Sequence, residues 1–281
     1  MTLSDTERSA LIAAVRDAAR THILPRFRSL SPSDIASKSA PDDLVTAADL
    51  ASEAALTDAA RTILPGCVVV GEEAAAADPA LPSRLMYADT AVIIDPVDGT
   101  WNFAQGLSTF GVILSVMRGG QTVFGLHYDP LNDDWIWAGL GQGAWLDRST
   151  QGGGTHRLTL PQAAPRPASA LFGMLSPWLF DASKRSAAIA AQTQFARTAA
   201  LRCSCHEYRL LVQGSVDFLL SATAKPWDHV AGVLLTAEAG GVSAMLDGSD
   251  YIPGISEGTL INARNAGELE TIRKTWWQAM G

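Results

Sequence analysis

Between residues 110 and 146 the chain loses helical spacing and reads as four short apolar runs, 110–117, 122–128, 134–137 and 144–146. Gly119-Gly120, Asp129-Pro130-Leu131-Asn132 and Gly141-Gln142-Gly143 separate them, and each separator is a turn signal. Connections this short join neighbouring antiparallel strands, whereas parallel strands need a dozen or more residues to cross over. The stretch therefore dictates a meander, and its apolar face must be covered by other elements.

The flanking sequence supplies the cover. Ser4-Asp5-Thr6-Glu7 is a capping box, and Leu11, Ile12, Val15, Ala18 and Ala19 follow at helical spacing. Pro25 kinks or ends that helix, and 29–41 is loop-rich. A second helix is expected over 46–63, closed by Pro65-Gly66. Residues 67–70 form a short β-branched run, 74–82 reads as a surface loop, and 91–94 as a buried strand. After the three consecutive glycines 152–154, strands (170–175, 216–220, 242–245) alternate with helices (183–195, 205–213, 228–239, 266–280). The expected division is an α+β half at 1–150 and an α/β half at 151–281, either two joined halves or one large domain.

The net formal charge is −8, with no basic run, which argues against a nucleic-acid partner. An acidic protein that handles an anionic phosphate needs a cation between them. The three cysteines, Cys67, Cys203 and Cys205, are too few and odd in number for a disulfide scaffold and lack zinc-finger spacing. They read as packing residues in a reducing compartment. No apolar run reaches the roughly 18 residues of a membrane span, and the N-terminus lacks signal-peptide order. A cytoplasmic protein with no membrane partner is expected.

The chemistry concentrates where apolar elements end. Asp95 and Asp98 close the run Ile93-Ile94-Asp95-Pro96-Val97-Asp98 and precede Gly99-Thr100; Glu72 follows the strand at 67–70; Asp228 follows Pro226-Trp227 and opens a helix. Mg²⁺ takes oxygen ligands from one or two carboxylates, substrate phosphate and water. Two ions roughly 4 Å apart can share a bridging carboxylate. Gly99 admits a close backbone approach, and a helical turn at 100–104 would point free N–H groups at an anion. Each residue also has a structural reading. The Asp95–Gly99 stretch can be an Asx turn, Asp228 an N-cap, and Glu72 with Glu73 part of a solvated loop. The combination favours metal and phosphate.

That combination resembles the inositol monophosphatase family. Gly71-Glu72-Glu73, Asp95-Pro-Val-Asp-Gly-Thr100 with Asn102-Phe103, and Trp227-Asp228 with Ala231-Gly232 match its motifs. So do Asp43-Leu-Val-Thr46 with Asp49 and Glu53, and Glu238-Ala-Gly-Gly241, all collinear over 38–241. The resemblance implies a layered α-β-α-β-α sandwich of the inositol monophosphatase and fructose-1,6-bisphosphatase type, mixing α+β and α/β character. It implies a Mg²⁺-dependent phosphomonoesterase with two or three ions per site, a small phosphorylated metabolite as partner, and a homodimer. Glu72, Asp95 and the Val97 carbonyl would hold the first ion; Asp95, Asp98 and Asp228 the second; a third would lie near Glu72. Asp49 and Thr100, with Glu72, would position and deprotonate the attacking water. Asp98, Gly99 and Thr100 would meet the phosphate. A non-catalytic relative would lose at least one of Asp49, Glu72, Asp95, Asp98, Thr100 or Asp228, and none is lost.

The departures concern the alcohol. Inositol-hydrolysing members carry a Glu seven residues before the W-D aspartate; here Ser221 stands there. Their G-[ST]-A-A segment is replaced by Arg202-Cys-Ser-Cys-His206. Histidinol-phosphate phosphatases often read G-D-x-[YW]-x-Y, of which only Tyr208 remains, with Ser204 in place of the Asp. Ser204, His206 and Ser221 are therefore the expected alcohol pocket, with Arg202, Glu207 and Arg209 nearby. Inositol phosphate, histidinol phosphate, sugar phosphates and nucleotides stay open as substrates. Trp101 either packs over the metal loop or walls the substrate. Lys38 either lines the site or is solvated, the second being expected.

Overall fold

The computed structural model describes residues 2–38 and 40–280. Helix α1 (Asp5–Ala18) starts on the expected capping box: the Glu7 N–H donates to Ser4 Oγ, and the Ser4 N–H donates to the Glu7 carboxylate at 2.7 Å. It buries Leu11, Val15 and Ala18, then widens to one π-turn at Ala19–Ile23 and tightens to a 3₁₀ turn at Leu24–Arg26, where Pro25 stops it. The loop-rich segment holds a strand, β1 (Ile35–Ser37), paired antiparallel with β2 (Leu44–Thr46). Helix α2 (Ala47–Ile63) follows, with Thr46 as its N-cap.

Next come β3 (Val68–Gly71) and α3 (Glu72–Ala77). The surface loop expected at 74–82 shrinks to the exposed turn 78–80, between the end of α3 and a 3₁₀ turn, Leu81–Met86, that buries Leu81, Pro82 and Leu85. Four consecutive alanines have the highest helix propensity. The Glu53 carboxylate also accepts the N–H groups of Glu73 and Ala74 at 2.8 and 2.9 Å, a cap 20 and 21 residues away that a local reading misses.

Strand β4 (Thr90–Asp98) is longer than expected and carries both acids, with a register shift against β5 between Asp95 and Asp98. Helix α4 (Thr100–Ala104) is the single turn anticipated. The meander forms as read: β5 (Gly111–Arg118), β6 (Gln121–Asp129), β7 (Asp134–Gly139) and β8 (Gly143–Asp147). Strand β9 (Thr155–Leu158) then pairs with β8, giving a seven-stranded sheet in the order β3-β4-β5-β6-β7-β8-β9. Its last strand lies beyond the glycines, so the sheet ends at Leu158 rather than at the junction expected after residue 150.

The rest is β10 (Phe172–Leu175), α5 (Ala182–Gln192), β11 (Arg197–Ala199), α6 (Ser204–Val212), β12 (Phe218–Ser221), α7 (Pro226–Glu238), β13 (Val242–Met245), β14 (Leu260–Ala263) and α8 (Ala266–Met280). The second sheet runs β11-β10-β12-β14-β13 and is mixed. Helices α1 and α2 cover one face of the first sheet, joining Leu11, Val15 and Leu56 to Val92, Leu114 and Leu126. Helices α6 and α7 fill the space between the sheets, and α5 and α8 close the far face around Phe218, Ile272 and Trp276. The order of layers is α-β-α-β-α. Trp276 docks α8 against Phe180, with ring centroids 4.9 Å apart, whereas Trp277 is exposed. Helix α7 lies so close to β6 that a Cβ on Gly125 would stand 2.8 Å from the Ala231 carbonyl oxygen. Among the described residues no helix is long and apolar enough to cross a membrane.

Candidate active site

The shifted register at the end of β4 brings Asp95 and Asp98 to one side, and the first turn of α7 brings Asp228 to meet them. Each offers a carboxylate oxygen within 4.8 Å of the other two. Asp95 and Asp98 are buried, and Asp95 Oδ1 has no hydrogen-bond partner. Asp98 Oδ2 accepts the Cys205 N–H and the Cys203 thiol, the latter at 3.1 Å. Burial pushes the Asp98 carboxyl up to about 8, with Asp228 adding repulsion. Burial raises Asp95 and Asp228 as well, and Glu72 and Asp98 raise Asp95 further. Packed carboxylates that repel one another, one with an orphaned oxygen, fit a hard divalent cation and little else.

Glu72 opens α3. Lys38 reaches it from the turn between β1 and β2, its Nζ 2.7 Å from Glu72 and 2.8 Å from Glu73. The expectation that Lys38 is solvated is overturned, since its side chain is 15 % exposed. Burial works against the Lys38 charge, but the two glutamates outweigh it and hold the ammonium above its usual range. The ion pair depends on a hairpin that 29–41 does not announce. Burial pushes Glu73 up to about 7 despite its bond to Lys38.

Asp49 is fully buried in the first turn of α2. Its Oδ2 accepts the backbone N–H and hydroxyl of Thr46, and its Oδ1 accepts the Thr100 hydroxyl at 3.1 Å. The Thr100 hydroxyl also lies 3.0 Å from the Val97 carbonyl oxygen, so its one hydrogen is shared between two acceptors. Burial lifts Asp49 to about 6 against the Thr46 hydrogen bonds. Gly99 turns β4 into α4 with φ 86°, a left-handed conformation, and a Cβ there would stand 2.9 Å from the Thr109 carbonyl.

Glu72, Asp98, Thr100 and Asp228 line a cavity of about 810 Å³, together with Ser221 and with Ser204, whose backbone N–H lies against the Asp98 carboxylate. His206 does not: its Nε2 is 3.0 Å from the Phe110 carbonyl, and it lines a separate cavity of about 270 Å³ with Asp129 and Arg209. The correction follows from helix phase. On α6, Ser204 and Glu207 are three apart and share a face, while His206, Arg209 and Gln213 turn to another. Arg209 pairs with Asp134 and donates to the His127 carbonyl. Trp101 lines the large cavity with the Arg202 guanidinium 4.7 Å from its ring centroid, so its ring is a wall.

The sequence assigns Cys203 and Glu53 no site role. Cys203 lies 105 residues from Asp98, and no short-range signal ties them. Glu53, quoted only as part of a motif, fixes the first turn of α3 and therefore Glu72.

Residues 4–280 match the model of the inositol monophosphatase family. The inositol-1-monophosphatase of Bacillus subtilis (strain 168) is 26% identical over 220 residues, 77% of this chain and 78% of that protein. The Nus factor SuhB of Escherichia coli (strain K12) is 29% identical over 228 residues, again 77% and 78% of the two chains. Among solved structures, an inositol monophosphatase from Zymomonas mobilis superposes with a TM-score of 0.77 at 22% identity, covering 98% of this chain and 100% of that one.

Proposed function

The chain belongs to the inositol monophosphatase family of phosphoric monoester hydrolases, and from that premise we propose that it is a Mg²⁺-dependent phosphatase of a small phosphorylated alcohol. The observation that carries the metal requirement is the orphaned, buried Asp95 Oδ1 beside Asp98 and Asp228. Asp95, Asp98, Asp228, Glu72 and the Val97 carbonyl would hold two or three ions. Bound Mg²⁺ would supply an acidified water, with a pKa lowered from about 15.7 towards about 7, and positive charge for the phosphate.

The chain's own groups do the rest. Thr100 Oγ1 commits its hydrogen to Asp49 or Val97 and presents a lone pair to water. A proton leaving that water passes to Thr100 Oγ1 while the Thr100 hydrogen moves to Asp49 Oδ1. Asp49, lifted to about 6, is suited to receive it near neutrality. The water oxygen bonds to phosphorus as the bond to the alcohol oxygen breaks; the departing alkoxide takes a proton from solvent water, and Asp49 returns its proton to solvent, so no net proton is gained or lost. The Gly99 and Thr100 N–H groups hold phosphate oxygens at the start of α4. No covalent nucleophile is needed.

The test is a phosphate-release screen with and without Mg²⁺ on myo-inositol 1-phosphate, histidinol phosphate, glycerol 2-phosphate, fructose 1,6-bisphosphate and 3′-phosphoadenosine 5′-phosphate. Mg²⁺-dependent release is expected. Metal-independent release, or none, would overturn the reading. The same reading makes the protein a cytoplasmic homodimer, which cell fractionation and light scattering on purified protein check.

A further inference from the structure

Away from the carboxylates, two cations line the large cavity, Arg185 from α5 and Arg202. Arg202 is neutralised by Asp42, 3.1 Å away, and stacks on Trp101. Arg185 has no carboxylate partner among the described residues. Its Nη2 reaches only the Phe180 carbonyl at 3.4 Å, its guanidinium stands 5.2 Å from the Trp178 ring centroid, and its Nε is buried with no hydrogen-bond partner. An arginine fork with one long bond to a carbonyl and no charged acceptor, in a cavity wall, matches a planar or tetrahedral anion. The nearby acids in the lining do not answer it: Asp42 pairs with Arg202, Glu207 accepts the Leu201 N–H at 2.7 Å, and neither they nor Asp43 form an ion pair with Arg185 among the described residues.

We propose that Arg185 is a specificity residue that reads a second anionic group, carboxylate or phosphate, on the alcohol part of the substrate. The proposal rests on the phosphatase reading for where the first phosphate sits. It places neutral polyol phosphates, and phosphates of cationic alcohols, below bis-anionic ones as substrates. Ser221, which also lines the cavity, is uncharged and does not repel such a leaving group.

The experiment compares glycerol 2-phosphate, which has no second anion, with 3-phosphoglycerate and fructose 1,6-bisphosphate, on wild type, Arg185→Gln and Arg185→Lys. Wild type is expected to favour a second-anion substrate by at least ~10-fold in kcat/KM, the scale of a charge-assisted pair. Arg185→Gln removes that preference through KM and leaves glycerol 2-phosphate unchanged, and Arg185→Lys restores part of it. The probe that loses more identifies the anion as carboxylate or phosphate. Kd values for the same three compounds, measured in an Asp49→Asn background, decide the point independently of turnover. Absent turnover with an Arg185-dependent Kd difference would sink the phosphatase reading and keep this one. Equal affinity for all three compounds, or an equal loss on all three in Arg185→Gln, would overturn it.

Discussion

At the carboxylate end of the cavity, backbone geometry sets each functional group. Asp95 and Asp98 ride the shifted end of β4, Glu72 the first turn of α3, Asp49 the first turn of α2 and Asp228 the first turn of α7. Elsewhere in the cavity wall, side chains reach in from α5, α6 and the segment before α6, and Trp178 and Leu179 are 68% and 65% exposed. The carboxylates are fixed by one strand of the first sheet and by the first turns of three helices. The rest of the wall is assembled from surface side chains that can change with little effect on packing. One scaffold can thus hold its carboxylates constant while the rest of the cavity wall varies.

Four measurements break or sharpen that contrast. Asp98→Asn keeps an acceptor for the Cys205 N–H but removes a charge from the metal cluster. Turnover of every substrate should fall by about 1000-fold, with unchanged circular dichroism. Substantial retained activity would detach the carboxylate end from catalysis. Asp49→Asn removes the proton acceptor of Thr100 and should lower kcat by roughly 100-fold with little change in KM. A loss confined to KM would make Asp49 a binding group instead.

Mg²⁺ near 100 times its Kd should stabilise the protein by about 2.7 kcal/mol, a rise in Tm of roughly 5 °C. Asp95→Asn should reduce that rise and Arg185→Gln should leave it intact. A rise lost in Arg185→Gln would mean that the two regions are not separable. The smallest effect belongs to Glu207, lifted by burial from 4.5 to about 7. A carboxyl raised by folding contributes stability below its unfolded pKa and loses it as pH climbs through the folded one. Glu207→Gln stays neutral and can still accept the Leu201 N–H. It should match wild type at pH 4 and be the more stable of the two at pH 8. Denaturant titrations at the two pH values check the sign.

The same contrast governs what the sequence discloses. Acids that end apolar runs and Gly99 before a helical turn are local signals, so β4, α4, Asp95, Asp98 and Asp228 are legible in the sequence; Asp49 enters only through the family motif. The meander was readable because its turn residues adjoin its strands. Strands β11 and β14 were not: one has three residues, and the other carries Asn262, whose burial is satisfied by Ser243 and Tyr208 from distant elements. Lys38, Cys203 and Arg185 take their roles from partners or cavities brought close only by folding. His206 was misplaced because the motif offset gave no helix phase.

The tight seat of α7 on Gly125 ties metal capture to the timing of folding. Asp95 and Asp228 are 133 positions apart, and a Cβ-sized gap at β6 is what lets the helix bearing Asp228 come down onto the sheet bearing Asp95. Closing so long a loop is slow relative to forming the β5–β6 hairpin, whose contacts are local. The ion can be bound with its full ligand set only after the sheet exists and α7 has landed. In a refolding experiment, capture of a divalent ion therefore acts as a late clock, marking when the two halves of the chain have become one object.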